Sequence, residues 1–207
     1  MLLWYTVIMR VLVACEFSGV VRDAFRKEGH NAMSCDLLPT DVEGPHYQGD
    51  VRFLLRPEWG WDLMIAHPPC THLAVSGARW FKDKMEEQEE ALAFVRELLL
   101  APIPMIALEN PVSVISTRIR KPDQYIQPWQ FGTPESKKTG LWLKGLPLLK
   151  STNVLELPAR GYWENQTPSG QNKLGPSADR WKERSRFPVG IAEAMATQWG
   201  RMDSTVV

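Results

Sequence analysis

Cysteine is scarce in this 207-residue chain: Cys15, Cys35 and Cys70 are an odd number and form no CxxC pair. That excludes a disulfide framework and offers no zinc-site spacing, so no metal is expected, and each thiol must be explained by packing or by chemistry. Long hydrophobic runs are missing too. Stretches such as 2–9 and 98–108 are too short or too broken by proline to span a bilayer, and 2–9 lacks the basic start and small-residue cleavage site of a secretory signal. The expectation is a cytoplasmic protein with no membrane partner. Net charge is absent, with 24 Lys and Arg against 24 Asp and Glu. The balance is nevertheless uneven: residues 1–117 hold 10 basic and 16 acidic residues, and residues 118–207 hold 14 and 8. A basic second half suits a polyanion partner, and an unevenly charged solvated surface would read the same way.

What is present describes a soluble globular chain, 44% hydrophobic and 23% charged. Its length is enough for one substantial core, so residues 1–207 are expected to form a single domain. Residues 10–15 (RVLVAC) form a short apolar run ending at Glu16-Phe17-Ser18-Gly19, after which Val20, Val21, Ala24 and Phe25 recur at helical spacing. Strand, glycine turn and helix are followed by a second strand over 31–35, with Asp36 at its end. Residues 61–66 read as a buried strand running into His67-Pro68-Pro69-Cys70, residues 86–100 as an amphipathic helix, and 105–108 as a strand ending at Glu109-Asn110-Pro111. A helix closes the chain at 190–199. Residues 150–186, rich in proline, glycine, serine and asparagine, read as a mostly irregular insertion. The class is α/β with a mostly parallel sheet and a ligand crevice at the strand ends.

Two prolines ahead of Cys70 forbid helix and present its side chain from a stiff loop, which suits a nucleophile. A buried structural thiol is the bland alternative, and it is the reading adopted for Cys15 and Cys35. Glu109 is placed to reach the same crevice. His67 and His72 flank the loop, where lone histidines more often satisfy local hydrogen bonds than perform catalysis. Trp163 and Trp181 could stack on bases, but packing of an irregular segment explains them as well.

These residues, in this order, resemble the motifs of the cytosine-5 DNA methyltransferase family, in the short form found in phages and prophages. Phe17-Ser18-Gly19 resembles its cofactor loop, Asp36 its ribose contact and Gly49-Asp50-Val51 its adenine-contacting turn. Pro68-Pro69-Cys70 with Ser76-Gly77 resembles the catalytic loop, Glu109-Asn110 its Glu-Asn pair, and residues 132–137 (GTPESK) its glycine-x-proline-glutamine-x-arginine segment. The likeness spans about residues 10–145. It implies a Rossmann-like S-adenosylmethionine-dependent methyltransferase fold, S-adenosyl-L-methionine as cofactor, and DNA with a flipped-out cytosine as substrate. The implied catalytic residues are Cys70, Glu109 and Lys137. The cofactor residues are Phe17, Ser18, Gly19, Asp36, Asp50 and Pro68, and the strand contacts are Arg79, Lys82 and Lys138. Departures are visible: Val20 and Val21 stand where the family has further glycine, Ser34 where a glutamate is common, Lys137 for an arginine and Thr139 for a second one. The segment 150–186 is short for a target-recognition region. Two other readings stay open: an enzyme of the same scaffold acting on single-stranded nucleic acid or nucleotides, and an inactive module that binds cofactor or nucleic acid.

Overall fold

The computed structural model describes residues 7–75, 84–175, 177 and 180–201. The strands are β1 (Arg10–Ala14), β2 (Asn31–Asp36), β3 (His46–Gln48), β4 (Leu63–Ala66), β5 (Met105–Pro111), β6 (Gln124–Ile126) and β7 (Thr139–Lys144). They form one sheet in the order β3-β2-β1-β4-β5-β7-β6. The first five are parallel to their neighbours, and β7 runs antiparallel to β5 and β6. The helices are α1 (Val20–Lys27), α2 (Met85–Leu99), the one-turn α3 (Ile115–Arg118), α4 (Arg180–Ser185) and α5 (Val189–Trp199). The α/β class and the mostly parallel sheet are those expected from the sequence, in a Rossmann-like arrangement.

The apolar runs without alternation become strands because both faces of the sheet are covered. Along β1, Val11 and Val13 enter a core shared with α1 and α5, where Phe25, Ile191, Met195 and Trp199 are buried. Leu12 and Ala14 enter the opposite core, built with Leu92, Val95 and Leu98 of α2 and with Trp61 and Trp142. The strand order reverses between β1 and β4, so a crevice opens at the carboxyl ends there, as in other open α/β sheets.

Two features differ from the sequence expectation. Glu109 and Asn110 do not follow a strand; they remain inside β5, because β7 pairs with them antiparallel, Glu109 opposite Leu141 and Asn110 opposite Gly140. Within 150–186, α4 forms a short helix, and the remaining described residues are irregular apart from isolated bridges such as Phe131 with Asn153 and Gln166 with Asn172. That segment is tied to the chain before β7. The Asn165 amide bonds both backbone groups of Ser136 at 3.0 and 2.9 Å, and the rings of Trp129 and Trp163 stack 5.9 Å apart. Among the described residues, no helix is long and apolar enough to cross a membrane.

Candidate active site

Register brings the first elements of the site together. Ala66 of β4 lies opposite Leu108 of β5, so the residues that follow, His67 and Glu109, emerge side by side. His67 Nδ1 lies 3.1 Å from Glu109 Oε2. One step further, Asn110 Nδ2 donates to the Pro68 carbonyl oxygen at 3.0 Å. A proline has no N–H with which to join a ladder, and Asn110 supplies the tie from the neighbouring strand instead. Cys70, half-buried, begins a turn: its carbonyl oxygen accepts from Leu73 N at 3.0 Å and Ala74 N at 2.9 Å. That turn docks on the chain leaving β5 through Val75 N to Val112 O and Val114 N to Leu73 O. Cys70 thus lies in the turn after β4, and Glu109 just past the paired ends of β4 and β5.

Glu109 is buried. Burial alone would raise the pKa of its carboxyl. The hydrogen bond from His67, the charges of Lys137 and His67, and the Thr139 hydroxyl together outweigh it and hold the carboxyl below the ordinary glutamate range. The charge of Lys137 acts on Glu109, while Lys138 places its ammonium over the ring of Tyr125, 4.5 Å from the centroid. Packing sets the other side of His67, with the Phe187 ring 4.6 Å from the imidazole centroid.

A cavity of about 260 Å³ opens at the carboxyl ends of β1 and β2 and is bounded in part by Cys15, Asp36, Asp50, Phe94 and Pro69. Pro69 is the link between this cavity and the cysteine turn. Asp36 accepts from Leu38 N at 2.9 Å. Asp50 caps the short 3₁₀ turn at 51–54, accepting from Arg52 N at 2.9 Å and pairing with its guanidinium at 3.1 Å. The Arg52 backbone bond, then the guanidinium, hold the Asp50 carboxyl low despite some desolvation. Burial, aided by the carboxylates nearby, pushes the Cys35 thiol up to about 12 and the Cys15 thiol higher still, so both walls are neutral.

Phe17, Ser18 and Gly19 form the turn from β1 into α1 and stand outside the cavity lining, as does Pro68. The turn is closed from within. Glu16, buried, accepts from Val21 N at 2.7 Å, Arg22 N at 3.2 Å and the Ser18 hydroxyl at 3.2 Å, and so occupies the amino end of α1. Gly19 has φ 74°, and a Cβ there would lie 2.6 Å from Arg22 Nη2. Arg22, fully buried, reaches Asp23 at 2.7 Å, Ser34 and Thr40 at 3.4 Å and the Glu43 carbonyl oxygen at 3.2 Å, stitching the loop after β2 to α1. Lys182 of α4 pairs with Asp41 of that loop at 2.7 Å and sits 5.7 Å from the Phe17 ring centroid.

Sequence reasoning passed over Glu16, Arg22 and the His67–Glu109 contact; for the first two, a charged residue inside an apolar α/β start was the available signal. Arg79, Lys82, Ser76 and Gly77 lie outside the described residues, as does the side chain of Trp181. Among the described residues, no group of three or more His, Cys, Asp or Glu side chains is arranged to hold a metal ion.

No family model and no curated protein matches the chain. Solved structures do. A DNA modification methyltransferase encoded within an Escherichia coli prophage is 13% identical, with a TM-score of 0.46 over 65% of this chain and 46% of that one. A mutant of Spodoptera frugiperda DNMT2 is 14% identical, with a TM-score of 0.42 over 72% of this chain and 55% of that one. The Dnmt2 methyltransferase of S. pombe is 16% identical, with a TM-score of 0.43 over 68% and 51%. The chain spans about half the length of these structures.

Proposed function

We propose that the protein is an S-adenosylmethionine-dependent methyltransferase that acts on carbon 5 of cytosine in DNA, with Cys70 as nucleophile. The observation that carries this reading is a half-buried thiol in the turn after β4 and a buried carboxylate just past the paired ends of β4 and β5, with Pro69, next to the thiol, lining a cavity that bears two further carboxylates. The cavity suits the nucleoside part of the donor: Asp36 and Asp50 can accept from ribose hydroxyls, and Phe94, Leu37 and Val51 offer apolar surface to the base. When bound, the donor supplies an electrophilic methyl group.

The chain's own residues do the rest. Carbon 5 of cytosine is a weak nucleophile. Addition of the Cys70 thiolate, its proton having passed to water, to carbon 6 forms an S–C6 bond and moves the C5=C6 electron pair to carbon 5, which would then bond the methyl carbon as the methyl–sulfonium bond breaks and leaves its pair on the donor sulfur. Loss of the carbon 5 proton returns that pair to the ring and expels the thiolate. Glu109, ionised and acceptor-only, pairs with the exocyclic amino group, and with ring nitrogen 3 once that atom has taken a proton from water as the thiolate adds. The charge of Lys137 favours the ionised form of that carboxylate. The reacting atoms are inaccessible inside a duplex, so the base must be unpaired or flipped.

Transfer of labelled methyl from S-adenosylmethionine into cytosine-containing DNA tests the reading, and Cys70→Ala is expected to abolish it. DNA carrying 5-fluorocytosine is expected to trap a denaturation-resistant adduct, since no carbon 5 proton can leave. Transfer that survives Cys70→Ala, or its absence with every cytosine substrate, would end the proposal.

A further inference from the structure

His67 was unremarkable in the sequence, yet it is placed where it controls the carboxylate at the centre of the site. Its backbone N–H donates to Ala14 O at 2.9 Å, which fixes the chain at the point where β4 ends beside β1. Its imidazole is then enclosed between Glu109 on one side and Phe187 on the other, with both His67 and Glu109 side chains largely buried at 13% and 10% exposure. Side-chain freedom is therefore already lost in the folded protein, and none need be lost when a substrate arrives.

We propose that His67 is a positioning residue for Glu109: its Nδ1–H, delivered by the exit of β4, holds one carboxylate oxygen and fixes the direction in which the carboxylate faces the pyrimidine edge. This rests on the assignment of Glu109 to base recognition. The donor role of Nδ1 follows from chemistry. The Glu109 carboxyl is held below its ordinary range, so at neutral pH it has no proton to give, and a bond at 3.1 Å requires the proton to sit on His67 Nδ1. The bond also fixes the imidazole tautomer. Among the described residues, the groups that act on the carboxylate favour its charged form: His67 from β4, Lys137 from the approach to β7, and the Thr139 hydroxyl at the start of β7. On its other side His67 meets an apolar ring, that of Phe187.

The consequence for specificity is direct. A carboxylate with no proton rewards a base edge that presents an amino group and penalises one that presents a carbonyl oxygen, which is the difference between cytosine and uracil at position 4. A carboxylate loosened from His67 would rotate and would take up a proton more readily, losing both orientation and discrimination. Geometry of this kind matters steeply, since a misplacement of about 1 Å costs up to about 100-fold in rate.

The test uses the full chain and two substitutions. His67→Phe fills the volume and removes the donor, and His67→Asn keeps an N–H close to the position of Nδ1. Carbon-detected NMR of the Glu109 carboxyl, which needs no activity, is expected to show a midpoint that rises in His67→Phe and stays near the wild-type value in His67→Asn. In methyl transfer, His67→Phe is expected to lower kcat by about 10- to 100-fold with the donor KM unchanged and the acid limb of the pH profile moved upward, and His67→Asn to recover most of the loss. If His67→Phe does not fold, nitrogen-15 spectra of the wild-type imidazole decide: a neutral ring protonated at Nε2 alone overturns the proposal. So does an unchanged Glu109 midpoint in a folded His67→Phe. A wild type that transfers no methyl group but shows the expected Glu109 titration would sink the assigned reaction and leave the His67–Glu109 linkage standing.

Discussion

At the scale of single residues, Glu109 makes the site sensitive to acid in a definite direction. Its folded pKa lies below that of an unfolded glutamate, about 4.3, so the ionised form stabilises the fold. That contribution is fully present above the unfolded value and is lost as pH falls through the folded one. Thermal melts of wild type and Glu109→Gln should therefore differ by a constant amount at neutral pH, with the difference shrinking only as pH falls below the unfolded value, about 4.3. In methyl transfer, Glu109→Gln should cost about 10²- to 10³-fold, the usual range for one preorganised hydrogen-bonding group at the reacting centre. Asn110 is a second sensitive residue, because its Nδ2 is the tie on the Pro68 carbonyl oxygen. Asn110→Ala removes one hydrogen bond, about 0.5–1.5 kcal/mol by urea titration. Its larger effect should be on turnover, since the loop bearing Cys70 loses the link that places it.

At the scale of elements, α1 and the loop after β2 behave as one unit through Arg22. Arg22→Met would strand the carbonyl oxygen of Glu43 and the hydroxyls of Ser34 and Thr40 beside an apolar thioether. Asp23 keeps a half-exposed side chain, so its charge stays hydrated and the loss should fall at the low end for a broken buried ion pair, about 3 kcal/mol. Hydrogen exchange should show the faster opening in residues 37–45 first. Elements of this half were legible in the sequence, because apolar runs and helical spacing are strong in β1, α1, β2, β4, α2 and α5, and each has the expected bounds within a residue or two. The β6–β7 hairpin was not legible. Gln124–Ile126 is three residues long, and Thr139–Lys144 becomes a strand only by pairing with β5, which also draws Glu109 and Asn110 into the sheet. Of the site, Cys70 and Glu109 were readable as residues at the ends of apolar runs. The Glu109–His67 bond was not, since it joins residues 42 positions apart and depends on the register of Ala66 with Leu108.

At the scale of the whole molecule, the far end of the chain closes on the near end. Packing of α5 against α1 buries Trp199, whose Nε1 donates to Pro147 O at 3.0 Å, and Phe187 just before α5 rests on His67. On the other side of the site, α4 reaches the glycine turn through Lys182. The cavity itself is lined by residues 15, 35–37, 49–52, 69 and 94, so a ligand that occupies it should bridge separate elements and stabilise the molecule as a unit. Ligand at 100 times its dissociation constant adds about 2.7 kcal/mol to a protein that binds it only when folded. For a domain of this size that corresponds to a rise in Tm of about 5–11 °C. S-adenosylhomocysteine, which has the nucleoside but no methyl to transfer, should produce this shift in the wild type. The Asp36 carboxylate makes a local bond to Leu38 N, so Asp36→Ala should leave the ligand-free Tm within about 2 °C, the scale of a lost surface interaction, and should remove most of the shift. A wild-type Tm that does not respond to this nucleoside, measured by calorimetry up to millimolar concentration, would remove the cavity from the donor-binding role and leave the thiol and carboxylate without a methyl source.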